Sequence, residues 1–127
     1  MGAETAAAEL PRRFLRPFVL LLLREQPSHG YELQERLLVF GYAGTDPGGL
    51  YRTLRTLEAE GLVRSSWERS SEGPDRRIYE LTRAGMEHLH EHARALDRTA
   101  HALGRFLSRY AEFVSLAPAG SRRAARR

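Results

Sequence analysis

The feature of this sequence that most constrains its fold is a row of apolar residues near the C-terminus, spaced alternately three and four positions apart. Such spacing places every member on one face of an α-helix, as in a coiled coil. A helix over residues 83–115 would be about 50 Å long at ~1.5 Å per residue, too long for the rest of a 127-residue chain to cover. This row, which we call the C-terminal seam, consists of Met86, Leu89, Ala93, Leu96, Ala100, Leu103, Leu107, Tyr110 and Val114.

The uncovered part of the seam predicts a homodimer, because a second copy of the chain would bury the matching face. Phe106 and Phe113 lie beside the seam at its far end and would widen the interface. The residues that we expect to carry dimerisation are Leu89, Ala93, Leu96, Ala100, Leu103, Leu107 and Tyr110.

Composition excludes several classes of protein. A hydrophobic fraction of 42% with 28% charged residues is that of an ordinary globular protein. The chain has no cysteine, which removes a disulfide framework, a thiolate zinc site and a cysteine nucleophile. The apolar run Phe18 to Leu23 is too short for a membrane span or an export signal. We therefore expect a cytoplasmic protein with no membrane partner.

The net charge of +4 does not by itself indicate a nucleic-acid partner. All 20 basic residues are arginine, and Arg122, Arg123, Arg126 and Arg127 lie in the last six positions. The remaining 16 arginines match the 16 acidic residues, so residues 1–121 are neutral. Any affinity of the folded body for DNA must therefore come from how its arginines are placed.

Three helices are predicted before the middle of the chain. Pro17 is suited to the first position of a helix with its body at 18–25, and Ser28 to the cap of a second helix that ends near Phe40. Asp46 and Pro47 form a strong start signal for a third helix, which should run to Glu60 and stop at Gly61. In it, Leu50, Leu54 and Leu57 form a buried face, and Gly48, Tyr51, Arg52 and Arg55 form the opposite stripe.

A β-hairpin and a long helix complete the predicted order. Residues 62–68 and 76–81 have a period near two and flank the turn-rich segment 69–75, and Thr82 is placed to cap the last helix. The predicted fold class is mainly α with a small β-hairpin (α+β). The predicted domains are a disordered N-terminus (1–9), a winged-helix domain (10–82), a dimerisation helix (83–115) and a disordered arginine-rich tail (116–127).

Three helices followed by a hairpin is the order of a winged helix, a helix-turn-helix variant whose third helix reads the major groove of DNA. Four blocks of sequence then resemble the PadR family of bacterial transcriptional regulators. They are HGYEL at 29–33, GLYRTLRTLE at 49–58, EGLV at 60–63 and RRIYELTRAG at 76–85. The resemblance covers residues 16–114 and implies a dimeric DNA-binding repressor, of the shorter subgroup with one C-terminal dimerisation helix, that a small-molecule effector releases.

Candidate DNA contacts lie on the open stripe of the third helix and on the hairpin. Arginine suits the O6 and N7 atoms of guanine or a phosphate, a tyrosine hydroxyl suits phosphate, and a glycine lets the helix N-terminus approach one. Double-stranded DNA with a palindromic operator is the expected partner. The predicted contacts are Tyr31, Gly48, Tyr51, Arg52, Arg55, Arg69, Arg76 and Arg77.

Several of these assignments have alternatives. Arg52 and Arg55 would also suit a solvated surface pair, and Tyr31 is equally suited to the core. Arg76 and Arg77 have acidic neighbours at Glu68, Glu72 and Asp75 with which they could pair. We expect Trp67 and Tyr79 to have a structural role, packing across the hairpin or against the helices.

Other chemistry is weakly supported. Phe106, Tyr110 and Phe113 suit the dimer core better than an effector cleft, and His88, His90 and His92 suit a solvated face better than a metal site. We therefore predict no metal and no cofactor. The sequence has no recognisable Ser-His-acid arrangement and no glycine-rich phosphate loop, so we predict that the protein is not an enzyme. The rival function is a winged helix that binds a protein partner, for which the open stripe of the third helix should be apolar.

Overall fold

The computed structural model of the chain describes residues 10–42 and 46–116. The segments 1–9 and 117–127, for which we predicted disorder, lie outside the described residues. The described residues belong to two units, 10–91 and 92–116. A single 3-10 turn at Arg12–Phe14 precedes the first α-helix. The elements in chain order are α1 (Leu15–Glu25), β1 (Ser28–His29), α2 (Gly30–Phe40), α3 (Pro47–Ala59), β2 (Val63–Glu68), β3 (Arg76–Leu81) and α4 (Arg83–Leu116).

The core of the first unit lies among the three short helices and the base of the hairpin. Helix α1 is central to it, as its apolar run predicted, and Val19 and Leu20 are fully buried. The predicted buried face of α3 is confirmed, because Leu50, Leu54 and Leu57 have no exposed surface. In α2, by contrast, Leu33 and Leu37 are buried while Leu38 is exposed. The core also contains Leu15, Leu22, Leu23, Tyr42, Leu62, Val63 and Tyr79.

The hairpin is part of a three-stranded antiparallel sheet with the order β1-β3-β2. Strands β2 and β3 pair from Val63 opposite Leu81 to Glu68 opposite Arg76. The third strand, β1, was not predicted, because it is only two residues long and pairs with β3 across about fifty positions of sequence. It attaches the start of α2 to the hairpin. The mainly α fold with a small sheet is otherwise the predicted winged-helix class.

Two predicted helix starts were wrong. Helix α1 begins at Leu15, so Pro17 is its third residue and not its first. Helix α2 is capped by His29 and not by Ser28, which pairs in β1 instead. The side chain of Glu32 accepts a hydrogen bond of 2.8 Å from the His29 backbone N–H, and this contact satisfies one of the unpaired donors of the first turn.

The other helix ends follow the predicted signals. Asp46 caps α3 by accepting a hydrogen bond of 2.8 Å from the Gly49 N–H. After α3, Gly61 has φ +81°, a left-handed conformation that turns the chain into β2. Thr82 accepts a hydrogen bond of 3.0 Å from the Gly85 N–H at the start of α4. Its hydroxyl also donates to the Gly61 carbonyl at 2.7 Å, which ties the base of the hairpin to that helix.

The second unit is the main part of α4, one continuous helix of 34 residues that begins in the first unit. Large apolar side chains in its C-terminal half are exposed in the single chain, including Leu103 (56%), Leu107 (58%) and Tyr110 (55%). No helix among the described residues is long and apolar enough to cross a membrane.

Candidate nucleic-acid interface

Helix α3 presents a polar stripe opposite its buried leucines. Gly48, Tyr51, Arg52 and Arg55 are all exposed, as their helical spacing predicted. Within the described chain, neither Arg52 nor Arg55 makes an ion pair, so acids of this surface do not neutralise them. The choice between a solvated surface pair and a DNA contact stays a prediction. Two arginines and a tyrosine are therefore available on the face that a winged helix turns toward a nucleic acid.

Two guanidinium groups lie over the first turn of α3. Arg52 Nη1 is 3.3 Å from where a β-carbon on Gly48 would be. Arg12 Nη2 is 3.2 Å from the equivalent point on Gly49. Sequence reasoning did not select Arg12, because it lies in the 3-10 turn before α1 and only the fold brings it to α3. The start of α3 thus has two cations beside it.

Tyr51 lies against the start of α2. Its ring and hydroxyl occupy the space that a side chain on Gly30 would need, with Cε1 and Cζ each 2.5 Å from the ideal β-carbon position. Gly30 is buried beneath the ring. The missing side chain at the first position of α2 therefore lets the two helices approach closely.

Tyr31 connects α2 with the hairpin. It is 51% exposed, so of the two alternatives it belongs to the surface. Arg76 Nη1 donates a hydrogen bond of 3.0 Å to the Tyr31 hydroxyl, and the guanidinium carbon is 5.9 Å from the centre of the ring. The Tyr31 ring also stacks on the ring of His29 at a centroid distance of 6.0 Å. Arg76 is thereby held next to the helix-turn-helix.

Arg77 is held by the hairpin itself. Its Nε donates a hydrogen bond of 2.8 Å to Ser65 Oγ, and its guanidinium lies 5.2 Å from the ring centre of Trp67, the residue opposite it in the strand register. Ser65 in turn donates to Glu58 Oε2 of α3 at 2.8 Å. Trp67 is 64% exposed. Trp67 therefore packs across the hairpin against Arg77. Of Trp67 and Tyr79, which we expected to have a structural role, only Tyr79 is in the core.

The hairpin arginines do not form the predicted alternative ion pairs. In the part of the chain that the structure describes, Arg76 and Arg77 make no ion pair with Glu68, Glu72 or Asp75, although Glu68 is the register partner of Arg76. Arg69 is exposed in the connection between β2 and β3, and no contact of the described residues ties it to the other candidate arginines. The assignment of Arg69 as a DNA contact therefore stays a prediction, which rests only on its position in the hairpin.

Tyr79 is the buried end of the same hairpin face and is 5% exposed. Burial raises the pKa of its phenol above the ordinary value of 10, and the nearby Glu58 adds to this effect, while the positive charges of Arg77 and Arg55 oppose it. Residues from α3 and from β3 thus act on one buried ring.

His29 has a carboxylate on each side, which the sequence did not suggest. Its Nδ1 lies 2.9 Å from Glu32 Oε1 of α2, and its Nε2 lies 2.5 Å from Glu68 Oε1 at the end of β2. The pKa of Glu32 is lowered mainly by its hydrogen bond from the His29 backbone, with further contributions from the His29 ring and from the charge of Arg76. The cluster joins the start of α2 to the hairpin.

Three of the seven other arginines of the first unit are ion-paired within the described residues. Arg16 contacts Glu60 at 2.7 Å, Arg36 contacts Glu25 at 3.0 Å, and Arg64 contacts Glu80 at 2.6 Å. The candidate arginines make no such pairs within the described residues. A region that is neutral in composition, with seven arginines and seven acids over residues 46–83, therefore leaves its cations available at the candidate interface.

The seam and the histidine cluster give two further results. Leu89, which we assigned to dimerisation, is partly buried against the core of the first unit. Among the described residues, no group of three or more His, Cys, Asp or Glu side chains is placed to hold a metal ion.

The helix-turn-helix of α2 and α3, with the hairpin as its wing, defines a winged-helix protein. Residues 19–91 match the family described as the Transcriptional regulator PadR-like family. Transcriptional regulator Rv3488 of Mycobacterium tuberculosis is 39% identical over 92 residues, which are 72% of this chain and 84% of that protein. The chain belongs to the PadR-like family and is a transcriptional regulator.

Solved structures agree with this assignment. The PadR-like transcriptional regulator of Bacillus cereus has a TM-score of 0.67 and 27% identity, over 73% of this chain and 90% of that one. A putative transcriptional regulator of Thermoplasma acidophilum has a TM-score of 0.66 and 28% identity, over 76% and 93% of the two chains. Both likenesses span nearly the whole of the compared structures.

Proposed function

We propose that this regulator binds double-stranded DNA sequence-specifically as a homodimer, and that it represses transcription until a small-molecule effector releases it. The observation that carries the proposal is the set of arginines without ion pairs on α3 and the wing. A polar, cationic face on the third helix suits DNA, whereas a protein-binding winged helix would more readily present an apolar one.

The roles of the residues follow from their chemistry. Arg52 and Arg55 suit the major-groove edge of guanine or a phosphate, and the Tyr51 hydroxyl suits a phosphate. Gly48 leaves the start of α3 open to a phosphate, with Arg12 beside it. Tyr31, Arg69, Arg76 and Arg77 would contact the backbone from the wing side, where they supply affinity more than specificity.

Dimerisation is supported by the exposed seam of α4. Ala93, Leu96, Ala100, Leu103, Leu107 and Tyr110 lie on one face, which a second copy would cover. A two-fold dimer places two copies of α3 on half-sites related by the same symmetry, so the operator should be palindromic. Phe106 and Tyr110, whose rings stack at 6.3 Å, would extend the dimer core, which their spacing favours over an effector cleft.

The test begins with the DNA. The purified protein is used to select bound fragments from genomic DNA, and candidate effectors are then added to find which ones release them. We expect a recurring palindromic sequence among the fragments. Absence of any enriched DNA sequence would instead favour the protein-interaction alternative.

The recovered operator then tests the recognition helix. The double variant Arg52→Ala/Arg55→Ala should lose specific affinity by about 100-fold or more, because each arginine contact with a base contributes roughly 1–3 kcal/mol of discrimination. The matched control is Arg94→Ala/Arg98→Ala, which removes the same charge from exposed positions of α4 outside the seam. Equal operator affinity of both variants, measured by fluorescence anisotropy, would refute the assignment of α3.

A further inference from the structure

The contact between the buried His29 and two half-exposed carboxylates has no role in the DNA contacts proposed above. The His29 side chain is 11% exposed, and its two ring nitrogens face Glu32 Oε1 at 2.9 Å and Glu68 Oε1 at 2.5 Å. These acceptors lie on different elements, because Glu32 belongs to α2 and Glu68 ends β2. The imidazole therefore bridges the helix-turn-helix and the wing.

The protonated ring suits this bridge and the neutral ring does not. Neutral imidazole carries one N–H, so one of its two nitrogens would direct a lone pair at a carboxylate oxygen. The imidazolium donates from both nitrogens and forms two charge-assisted hydrogen bonds. Imidazole is also the side chain that ordinarily changes charge between about pH 5 and 8.

The groups around His29 come from every neighbouring element. Tyr31 of α2 stacks on its ring, and Arg76 of β3 donates to the Tyr31 hydroxyl. From α3, the Tyr51 phenol lies on Gly30, the next residue along the chain. Arg76 is the one cation among these partners, and it opposes two carboxylates, so the surroundings retain an excess of negative charge beside the ring.

The bridge acts at the end of β2, next to the tip of the wing. Glu68 is the last residue of β2 and lies opposite Arg76 in the register. Its carboxylate contacts His29 and not Arg76, which leaves the Arg76 guanidinium to Tyr31. We propose that His29 is a proton-dependent positioning residue: its imidazolium holds the wing against α2, and loss of the proton releases the wing and weakens DNA binding. The effect on DNA rests on the proposed function, whereas the movement of the wing does not.

The free protein reports the wing directly. Trp67 is the single tryptophan of the chain and precedes Glu68. Acrylamide quenching of its fluorescence should be greater at about pH 8.5 than at about pH 5.5, because imidazole ordinarily changes charge between about pH 5 and 8 and the end of β2 is then released. This measurement requires no DNA, so it tests the bridge even if the proposed function is wrong.

Two variants change the bridge in opposite ways. In His29→Gln one amide replaces two cationic donors, so the wing should be released and the Trp67 signal constant at every pH. In Glu68→Gln a neutral His29 can donate from Nδ1 to Glu32 and accept at Nε2 from the new amide. The wing should then be held at every pH, and the quenching should stay at the level of the wild-type protein at about pH 5.5.

Matched controls remove the same groups elsewhere. Glu72→Gln changes one exposed carboxylate of the same hairpin, and His101→Gln changes one exposed histidine of α4. Both should keep the wild-type pH transition. A wild-type protein without the transition, or a transition that persists in His29→Gln or Glu68→Gln, would overturn the proposal.

DNA binding is measured in parallel with a mixed-sequence duplex of about 30 base pairs, a length that accommodates a dimer and reports phosphate contacts. Wild-type affinity should fall about tenfold more between pH 5.5 and 8.5 than that of Glu68→Gln, the size expected for one charge-assisted contact. A Trp67 transition without duplex binding at any pH would refute the proposed function alone. Equal pH dependence in wild type and Glu68→Gln would refute the role of His29 in DNA binding.

Discussion

At the scale of single residues, the candidate interface depends on the absence of a side chain at Gly30. The Tyr51 ring fills that space, and the ring therefore has a fixed position although it is on the surface. An ideal β-carbon on Gly30 would overlap the ring and not the backbone, so the ring would have to move. The glycine thus determines where a candidate DNA contact is placed.

A double-mutant cycle tests this contact. Gly30→Ala should cost about 1 kcal/mol of stability through overpacking. In a Tyr51→Ala background the same change should be neutral or stabilising, because the obstacle is gone and alanine favours the helix. Urea denaturation measures both values, and Gly73→Ala, whose β-carbon would meet Ser70 Oγ only at 3.9 Å, is the control. Additive costs would show that the Tyr51 ring is not the obstacle.

The sequence predicted the exposure of single residues well where the period of the helix determines the face on which they lie. Helical spacing predicted the exposure of Tyr51, Arg52 and Arg55. The contact of Tyr31 with Arg76 joins residues 45 positions apart and exists only in the fold. Trp67 and Tyr79 lie on one face of the hairpin. The alternation of residues along a strand does not show how far the helices extend over that face, so the exposure of Trp67 was not predicted.

At the scale of elements, the accuracy of each predicted boundary depends on how local its signal is. Asp46 followed by Pro47 contains the whole start signal of α3 within two residues, and this helix begins as predicted. The start of α2 was wrong because Ser28 is drawn into β1 by pairing with Tyr79. The cap then falls to His29, whose ring also contacts Glu68, 39 positions away. Such distant partners leave no periodic signal in the sequence.

The cap of α3 gives a prediction at this scale. Asp46→Ala should destabilise the protein by about 1 kcal/mol, because the Gly49 N–H loses its acceptor. Asp46→Asn removes the same charge but retains an acceptor oxygen, so its stability should stay near that of the wild type. Urea denaturation followed by circular dichroism measures both variants. Equal losses in the two would mean that the charge, and not the hydrogen bond, stabilises this end.

At the scale of the whole molecule, the placement of charge matters more than its total. The first unit pairs Arg16, Arg36 and Arg64 with acids, while the candidate interface leaves its arginines without such pairs in the described chain. Composition alone gave a neutral body and could not distinguish these two groups. The excess of four arginines lies in the last six residues, outside the described part of the chain.

The seam of α4 raises a separate question of stability. Leu103, Leu107 and Tyr110 are each more than half exposed in the single chain, and α4 has 34 residues. Exposing apolar area of this extent to water is unfavourable, with a free energy of roughly 25 cal/mol per Å². Covering it with the same face of a second chain would bury the seam along its length, which is the physical reason for the proposed homodimer.

Aspartate in the seam tests that dimer. Leu96→Asp/Leu103→Asp places two carboxylates where two copies of each would meet, so the protein should become monomeric by sedimentation velocity. The matched control is Ala95→Asp/Ser108→Asp, which adds the same charge to exposed positions of α4 outside the seam and should remain dimeric. Near-ultraviolet circular dichroism checks that the first unit stays folded in both. A seam variant that sediments as the wild-type dimer would show that another surface joins the two copies, and the palindromic spacing of half-sites would then follow from that surface.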